Sequence, residues 1–297
     1  MLLDFEPISL ERQDEYRNAL SGCPQLMTSD FAFANIWGWA EYYQLEWAFH
    51  RGLVWIRQNY PERACWAPVG PWDDYDWTNC KAMRECNKYI RVPEYLSSLW
   101  SKAFGDSLTL TLTLTEKRGQ WDYVYSVEEL VALRGNKFHK KKNLLNQFNK
   151  KYEWEYKPMC SVCIDQVLTM QAEWIKWFEE NDPSEALVAE NTAITRVLTN
   201  FDKIGGLFGG TISCDGKVIA YTVAEPLCED TVVIHFEKGN VAYKGVYQAI
   251  NQMFLKNDAV QFTHVNREQD LGDEGLRKAK LSYNPTFFLK KFEAIIE

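Results

Sequence analysis

Asp215-Gly216 sits between two apolar runs, Leu207 to Ser213 and Lys217 to Glu225, and a third such run, Thr231 to Glu237, follows at once. An Asp-Gly pair supplies the two positive-φ positions of a tight hairpin turn, so the first two runs are antiparallel neighbours in one sheet. Around them the helical and extended periodicities alternate. An amphipathic helix runs from Ile164 to Glu179, a polar stop follows at Asn181-Asp182-Pro183-Ser184, and a second helix covers about Glu185 to Phe201. After the three strands, Gly239 and Gly245 bracket a loop into a helix from Val246 to Phe254. A short strand at Val260 to Val265, a helix near Asp273 to Leu281 and a strand at Thr286 to Leu289 complete the order.

The resulting order, α-α-β-β-β-α-β-α-β, packs as an α/β fold with a central mixed sheet and helices on both faces. It is also the element order of the GNAT acyltransferase fold, whose splayed central strands hold an acyl donor. The first part of the chain has looser versions of the same ingredients. Thr28-Ser29-Asp30 caps a helix through Phe33, Ile36, Trp37 and Ala40, and Leu53 to Ile56 reads as a buried strand. Residues Asp74 to Asn87 read as weakly helical, and Leu108 to Thr115 alternates strictly, Leu inward and Thr outward. A turn then leads into a strand at Trp121 to Tyr125. Ser126-Val-Glu-Glu129 opens a helix that continues past an interruption at Gly135 to Phe148. The fold class expected is therefore α/β with two tandem GNAT-like domains. Residues 1–130 form a degenerate copy, 131–157 a basic connecting helix, and 158–297 the copy with the active site.

At 297 residues, 46% hydrophobic and 25% charged, the chain has the composition of a globular protein, which excludes disordered and fibrous classes. The longest apolar stretch, Phe31 to Ala40, is too short to span a bilayer, and the N-terminus lacks the pattern of a secretory signal. Cytoplasmic placement, without integral membrane contact, is the expectation. Eight scattered cysteines then read as reduced thiols. Cys160 and Cys163 have C-x-x-C spacing but no second pair, so no metal site is expected. The charge is polarised. Arg134, Lys137, Lys140, Lys141, Lys142, Lys150, Lys151 and Lys157 face only Glu153 and Glu155, a net +6 that leaves −14 for the rest of a chain totalling −8. Such a patch suits an anionic partner such as tRNA, lipid headgroups or coenzyme phosphates, although a solvated helix face has the same composition.

Three places carry candidate chemistry. The densest is Asn266 to Pro285, where Asn266, Arg267, Asp270 and Tyr283 are candidate substrate contacts. Asp273–Arg277 and Glu274–Lys278 are spaced as ion pairs, yet Lys280 lies beside the apolar face of Leu276 and Ala279. A lysine there is desolvated or paired with an anion. The second is Tyr243-Lys244-Gly245, at a helix N-terminus able to hold a phosphate, with His235 and Lys238 on the preceding strand. The third is His139-Lys140-Lys141 in the basic patch. Neither a P-loop, nor G-x-S-x-G, nor H-E-x-x-H, nor a dinucleotide fingerprint is present, so hydrolase and kinase readings have no support.

Ser29-Asp30 with Phe33-Ala-Asn-Ile-Trp37, then Leu133 to Asn143, then Asn266 to Pro285 resemble the signature blocks of a bacterial family similar to the cytosolic C-terminal domain of phosphatidylglycerol lysyltransferases. The resemblance covers nearly the whole chain and implies two tandem GNAT-like domains. It also implies transfer of an acyl or aminoacyl group, with aminoacyl-tRNA as donor in the lysyltransferase branch. Lys280 matches the site lysine of that branch. Where the branch carries an Asp and an Arg, this chain has His235 and Lys238. Ordinary GNAT enzymes hold pyrophosphate with an R/Q-x-x-G-x-G/A loop. Aligned on Gly245, this chain has Ala242 and Tyr247 at the ends of that motif.

The expected activity is therefore transfer from an activated donor, aminoacyl-tRNA or acyl-CoA, to an amine or hydroxyl of a lipid or peptide. No cofactor is expected to be permanently bound. Lys280 would steady developing negative charge, His235 would act as base, and Lys238, Lys244 and Arg277 would hold donor phosphates. The alternative is a module that binds tRNA or another anionic ligand without catalysis.

Overall fold

In the computed structural model, which describes residues 3–24, 28–105, 111–181 and 183–297, the chain forms two units that are discontinuous in sequence. The first comprises Met1–Asp122, Gln269–Asp273 and Phe288–Glu297, and the second Tyr123–Glu268 and Glu274–Phe287. Each is built on a mixed sheet with helices, as the α/β reading expects. The division differs from the linear boundaries at 130 and 157. Residues 131–157 belong to the second unit because the basic helix His139–Lys151 packs on helix Val246–Asn257. The C-terminal residues return to the first unit, where Lys291–Ile296 pairs between Lys88–Pro93 and Leu112–Glu116.

The core of the first unit is aromatic. Trp47, Trp55, Trp66, Trp72 and Trp100 are all fully buried, and Trp100 meets Tyr89 and Trp77 edge-on at 5.2 and 5.6 Å between ring centres. Each such pair adds about 0.5–1.5 kcal/mol to the burial of its area. Helix Phe33–Tyr43 forms where expected, but its N-cap is Ala32 and not Thr28-Ser29-Asp30, which lead into a separate 3-10 turn at Ser29–Phe31. The weak helix expected over Asp74 to Asn87 is instead two 3-10 turns, Trp72–Asp74 and Lys81–Glu85. The alternating segment is a strand over Leu112–Glu116, half-buried at each Leu and exposed at each Thr, whereas Leu108 to Leu110 lie outside the described residues.

In the second unit the strands lie in the order Asp122–Ser126, His264–Asn266, Thr231–Gly239, Lys217–Cys228, Phe208–Cys214, Trp154–Pro158. Asp215 and Gly216 take φ of 49° and 74°, the mirror-image turn the hairpin requires. Strand Lys217–Cys228 is almost continuously buried, as a strand covered on both faces must be. Helix Val246–Asn257 reaches one face through Asn251 to Glu237. On the other face, Lys238 pairs with Glu190 of helix Glu185–Thr199, and Tyr221 with Gln171 of helix Ile164–Asn181.

The expected helix from Ser126 to Phe148 is two. Ser126 caps Val127–Ala132 by accepting from the Glu129 amide, Leu133 turns left-handed, and a 3-10 turn at Asn136–Phe138 restarts the chain into His139–Lys151. The strand expected at Val260 to Val265 is shifted to His264–Asn266, and Val260 is exposed.

Gly245 has a steric role here. It sits at φ 89°, and a Cβ there would lie 2.4 Å from the Leu144 carbonyl of the basic helix. Gly245→Ala is expected to destabilise the second unit by about 2 kcal/mol or more, adding left-handed strain to a clash with backbone. Urea unfolding checks it: a cost under about 0.5 kcal/mol would show that the two helices need no such close approach.

Candidate functional site

The parallel pairing of strand Thr231–Gly239 with His264–Asn266 ends at Val233↔Asn266. Beyond it the two segments part, and the gap is where the second unit opens a cavity of about 410 Å³. Its walls come from Ile234, His235 and Glu237 on the first segment and Arg267 and Glu268 on the second. Tyr247 and Gln248, in the first turn of helix Val246–Asn257, add a third side. Lys141 of the basic helix and Leu276, Ala279, Lys280 and Tyr283 complete it.

Alternation along a strand cannot send both Ile234 and His235 to one cavity. The register explains it. Val223 pairs with Phe236 and the next residue, Ala224, with Ile234, so His235 is the extra residue of a β-bulge. A bulge re-aims one side chain, and such devices concentrate beside active sites. Both ring nitrogens of His235 are engaged, Nε2 with Glu225 at 3.1 Å and Nδ1 with Glu268 at 3.0 Å. Burial disfavours charge on the imidazole, but hydrogen bonds to the two carboxylates outweigh it and push its pKa up to about 9. Both ring nitrogens are thus committed to carboxylates and the protonated ring is favoured, an arrangement that speaks against the general base expected here.

Arg267 donates from Nη2 to Glu237 at 2.8 Å, while its Cζ lies 4.8 Å from the centre of the Tyr283 ring. Its other terminal nitrogen, Nη1, is buried with no hydrogen-bond partner among the described residues. Lys141 places its amine 3.9 Å from the centre of the same Tyr283 ring. Burial, with the Arg267 charge adding to it, lowers that amine to about 8. Lys280 reaches into the cavity from helix Glu274–Leu281, and its Nζ donates to the Arg267 carbonyl at 2.5 Å. The expected company of Leu276 and Ala279 is there, because all three line the same wall.

Of the residues singled out in the sequence, His235, Arg267, Lys280, Tyr283 and Lys141 meet in this cavity. Asn266 stands at its edge, buried, and accepts from the Glu268 amide at 2.8 Å, which shapes the turn where the strands part. The others are elsewhere. Lys238 is paired with Glu190 at 2.6 Å and lies over Trp174, so a carboxylate already fills the place expected for a donor phosphate. Asp270 belongs to the first unit, buried against Arg118 and the Gly272 amide, and is not a substrate contact of this cavity. Tyr243 packs on Tyr152, whose hydroxyl also accepts from the Lys244 amide. That amide and Gly245 are thus engaged in holding the basic helix, which weakens the expected phosphate loop. Arg277, His139 and Lys140 do not line the cavity, and the last two are exposed.

Sequence reasoning did not single out Glu225, Glu237, Glu268 or Gln248, and met Tyr247 only as a departure from the phosphate-loop motif. The first two carried a signal: a glutamate inside a run that is otherwise apolar must find a cation on folding. Among the described residues, Cys160 and Cys163 meet no third metal-ligating side chain. Among the described residues no group of three or more His, Cys, Asp or Glu is placed to hold a metal, and no helix is long and apolar enough to cross a membrane.

An uncharacterized protein of Mycoplasmoides gallisepticum is 25% identical over 179 residues, 58% of this chain and 54% of that protein, so the match spans about half the relative's length. A crystal structure of a conserved protein of unknown function from Bacteroides thetaiotaomicron superposes with a TM-score of 0.87 at 29% identity, covering 99% of this chain and 100% of that one. L-PGS from Bacillus licheniformis has the same fold, at a TM-score of 0.62, 12% identity and coverage of 98% and 92%. Residues 25–295 match the family described as phosphatidylglycerol lysyltransferase, C-terminal. With nearly its full length inside that match, the chain belongs to the phosphatidylglycerol lysyltransferase C-terminal family.

Proposed function

We propose that the second unit transfers an aminoacyl or acyl group from an activated donor to an amine or hydroxyl acceptor. One observation carries this reading. The cavity opens where two parallel strands separate, with the Lys280 ammonium on its wall, a geometry that admits an ester carbonyl between the strands. The acceptor nitrogen or oxygen bonds to that carbonyl carbon, the ester bond to the donor breaks, and the acceptor's proton passes to the leaving oxygen. Lys280 steadies the oxyanion or the leaving oxygen electrostatically. His235, held as a cation between Glu225 and Glu268, positions the strand edge and takes no proton.

A tRNA-like donor is favoured over coenzyme A. The helix that sends Lys141 into the cavity also carries the exposed Lys140, Lys142, Lys150 and Lys151, a track for a polyanion. The loop before Val246, in contrast, spends an amide and its glycine on packing.

Binding of an aminoacyl-tRNA pool and of acetyl-CoA, each at two salt concentrations, tests the donor. Salt-dependent binding of charged tRNA alone is expected, and saturable acetyl-CoA binding without tRNA binding would reverse the assignment. Lys280→Ala is expected to keep tRNA affinity and lose transfer by about 10²–10³-fold, the usual cost of one such donor. Unchanged turnover would remove Lys280 from the chemistry, and tRNA binding without any turnover would leave a binding module.

A further inference from the structure

We propose that Cys160 and Cys163 form a redox-active dithiol site on the second unit, which takes a small-molecule disulfide as its substrate and closes to an intramolecular disulfide. This goes beyond the transferase reading and rests on neither that reading nor the cavity. The two thiols stand where the strand Trp154–Pro158, last in its sheet, ends and helix Ile164–Asn181 begins, about a 3-10 turn at Ser161–Cys163. The Cys163 amide donates to the Cys160 carbonyl at 3.0 Å, closing a four-residue turn. Such a turn keeps its end Cα atoms within about 7 Å, and a disulfide bridges Cα atoms about 4.4–6.8 Å apart. Each sulfur is folded back onto the other residue. Cys160 Sγ accepts from the Cys163 amide, while Cys163 Sγ accepts from the Cys160 amide at 3.3 Å and donates to the Cys160 carbonyl at 2.9 Å.

Capping alone does not account for this pair. Helices Val127–Ala132 and Glu185–Thr199 are capped by Ser126 and Ser184, each accepting a backbone amide through its hydroxyl. A hydroxyl accepts that bond better than a thiol, which is a weak donor and a weak acceptor. Sulfur at both capping positions adds what serine cannot, exchange with another disulfide. Access matches. All eight cysteines lie among the described residues, and Cys160 is the one that is exposed. Val162, between the two, is 89% exposed, whereas Cys163 is half-buried and burial pushes its thiol up. Cys160 therefore meets the incoming disulfide first. Its thiolate bonds to one sulfur, the incoming S–S bond breaks, and the departing thiolate takes up the proton that Cys160 released. Cys163 Sγ then bonds to Cys160 Sγ, the mixed disulfide breaks, and the second thiol leaves with the Cys163 proton. Two protein thiols are oxidised and one small disulfide is reduced to two thiols.

The test is incubation of the reduced whole chain with excess oxidised glutathione at about pH 8, where thiols are partly ionised. Remaining thiols are then alkylated in urea and the peptides mapped by mass spectrometry. The wild type is compared with Cys160→Ser and Cys163→Ser, in which serine keeps a capping group, each checked for an unchanged melting temperature. In the wild type a Cys160–Cys163 disulfide is expected, with the buried Cys23, Cys65, Cys86 and Cys214 recovered alkylated. Cys163→Ser should stop at a glutathione mixed disulfide on Cys160, and Cys160→Ser should take up glutathione at Cys163 about tenfold more slowly or less. A wild type that accumulates the mixed disulfide, a pair that stays reduced, or equal uptake by the two variants would overturn the assignment. No turnover is read, so the result stands or falls apart from the transferase reading.

Discussion

Lys291→Met is expected to destabilise the first unit by about 3–5 kcal/mol, the cost of removing one partner from a buried ionic cluster. Lys291 is fully buried, and its Nζ contacts the carboxylates of Asp30 and, at 2.6 Å, Asp122. The rest of the cluster is equally enclosed. Arg91 pairs with Asp30, the Ser29 amide and hydroxyl donate to Asp122, each at 2.9 Å, and Gln269 Nε2 donates to Asp122 at 2.7 Å. Burial raises the Asp30 carboxyl, but the Lys291 and Arg91 charges outweigh it and hold its pKa below the ordinary value of 3.8. With lysine gone, two buried carboxylates would lose the one cation they share. The double variant Lys291→Met/Asp122→Asn removes one of those charges with its cation and is expected to cost less than the sum of its parts. Urea unfolding of the three proteins checks this. Additive costs, or a Lys291→Met penalty under about 1 kcal/mol, would show that the cluster is not a coupled ionic unit.

Raising the pH from 6 to 10 is expected to withdraw about 3 kcal/mol of stability from the second unit through His235 alone. The folded pKa of about 9 lies above the ordinary 6.5, so the protonated imidazole stabilises the fold. That contribution is fully present below pH 6.5 and lost as pH rises through 9, at about 1.4 kcal/mol per unit of difference. Lys141 runs the other way: its folded amine is depressed to about 8, so its charged form works against folding until it titrates. Comparison with Glu268→Gln isolates the histidine. Losing one carboxylate partner should lower the imidazole midpoint by at least one pH unit and flatten the alkaline loss. The reporter is the ring's 15N chemical shift, followed by NMR across this range. A wild-type midpoint at or below 6.5 would refute the imidazolium assignment.

Much of the second unit was legible because its signals are local. The Asp215-Gly216 turn, the apolar runs beside it, the amphipathic helix after Ile164 and the polar stop that ends at Ser184 each depend on residues a few positions apart. The observed helices, Ile164–Asn181 and Glu185–Thr199, match the expected ones closely. The stripe of Leu276, Ala279 and Lys280 was legible for the same reason, since helical spacing fixes which side chains share a face. Ser29-Asp30 stood out as a motif, yet its partners, Asp122, Gln269 and Lys291, lie 92 or more positions beyond Asp30 and no spacing rule connects them.

The first unit was harder to read where pairing is long-range. Strand Lys291–Ile296 was not anticipated because its neighbours, Lys88–Pro93 and Leu112–Glu116, are remote in the chain. Likewise, the bulge at His235 leaves no mark in composition. It exists because two strands differ by one residue across a shared register, which is a property of the pair.

By itself, then, the sequence determined the α/β class, the order of elements in the second unit, the polarised charge, and the basic helix and Lys280 as places to look. Tertiary structure alone decided that His235 is enclosed by Glu225 and Glu268, that Lys238 is already paired, and that Asp270 belongs to the other unit. Hydrogen-bond periodicity and turn preference act over a few residues and are written locally. A side chain's charge state is set instead by which distant groups desolvate and surround it, and only the folded chain brings those together.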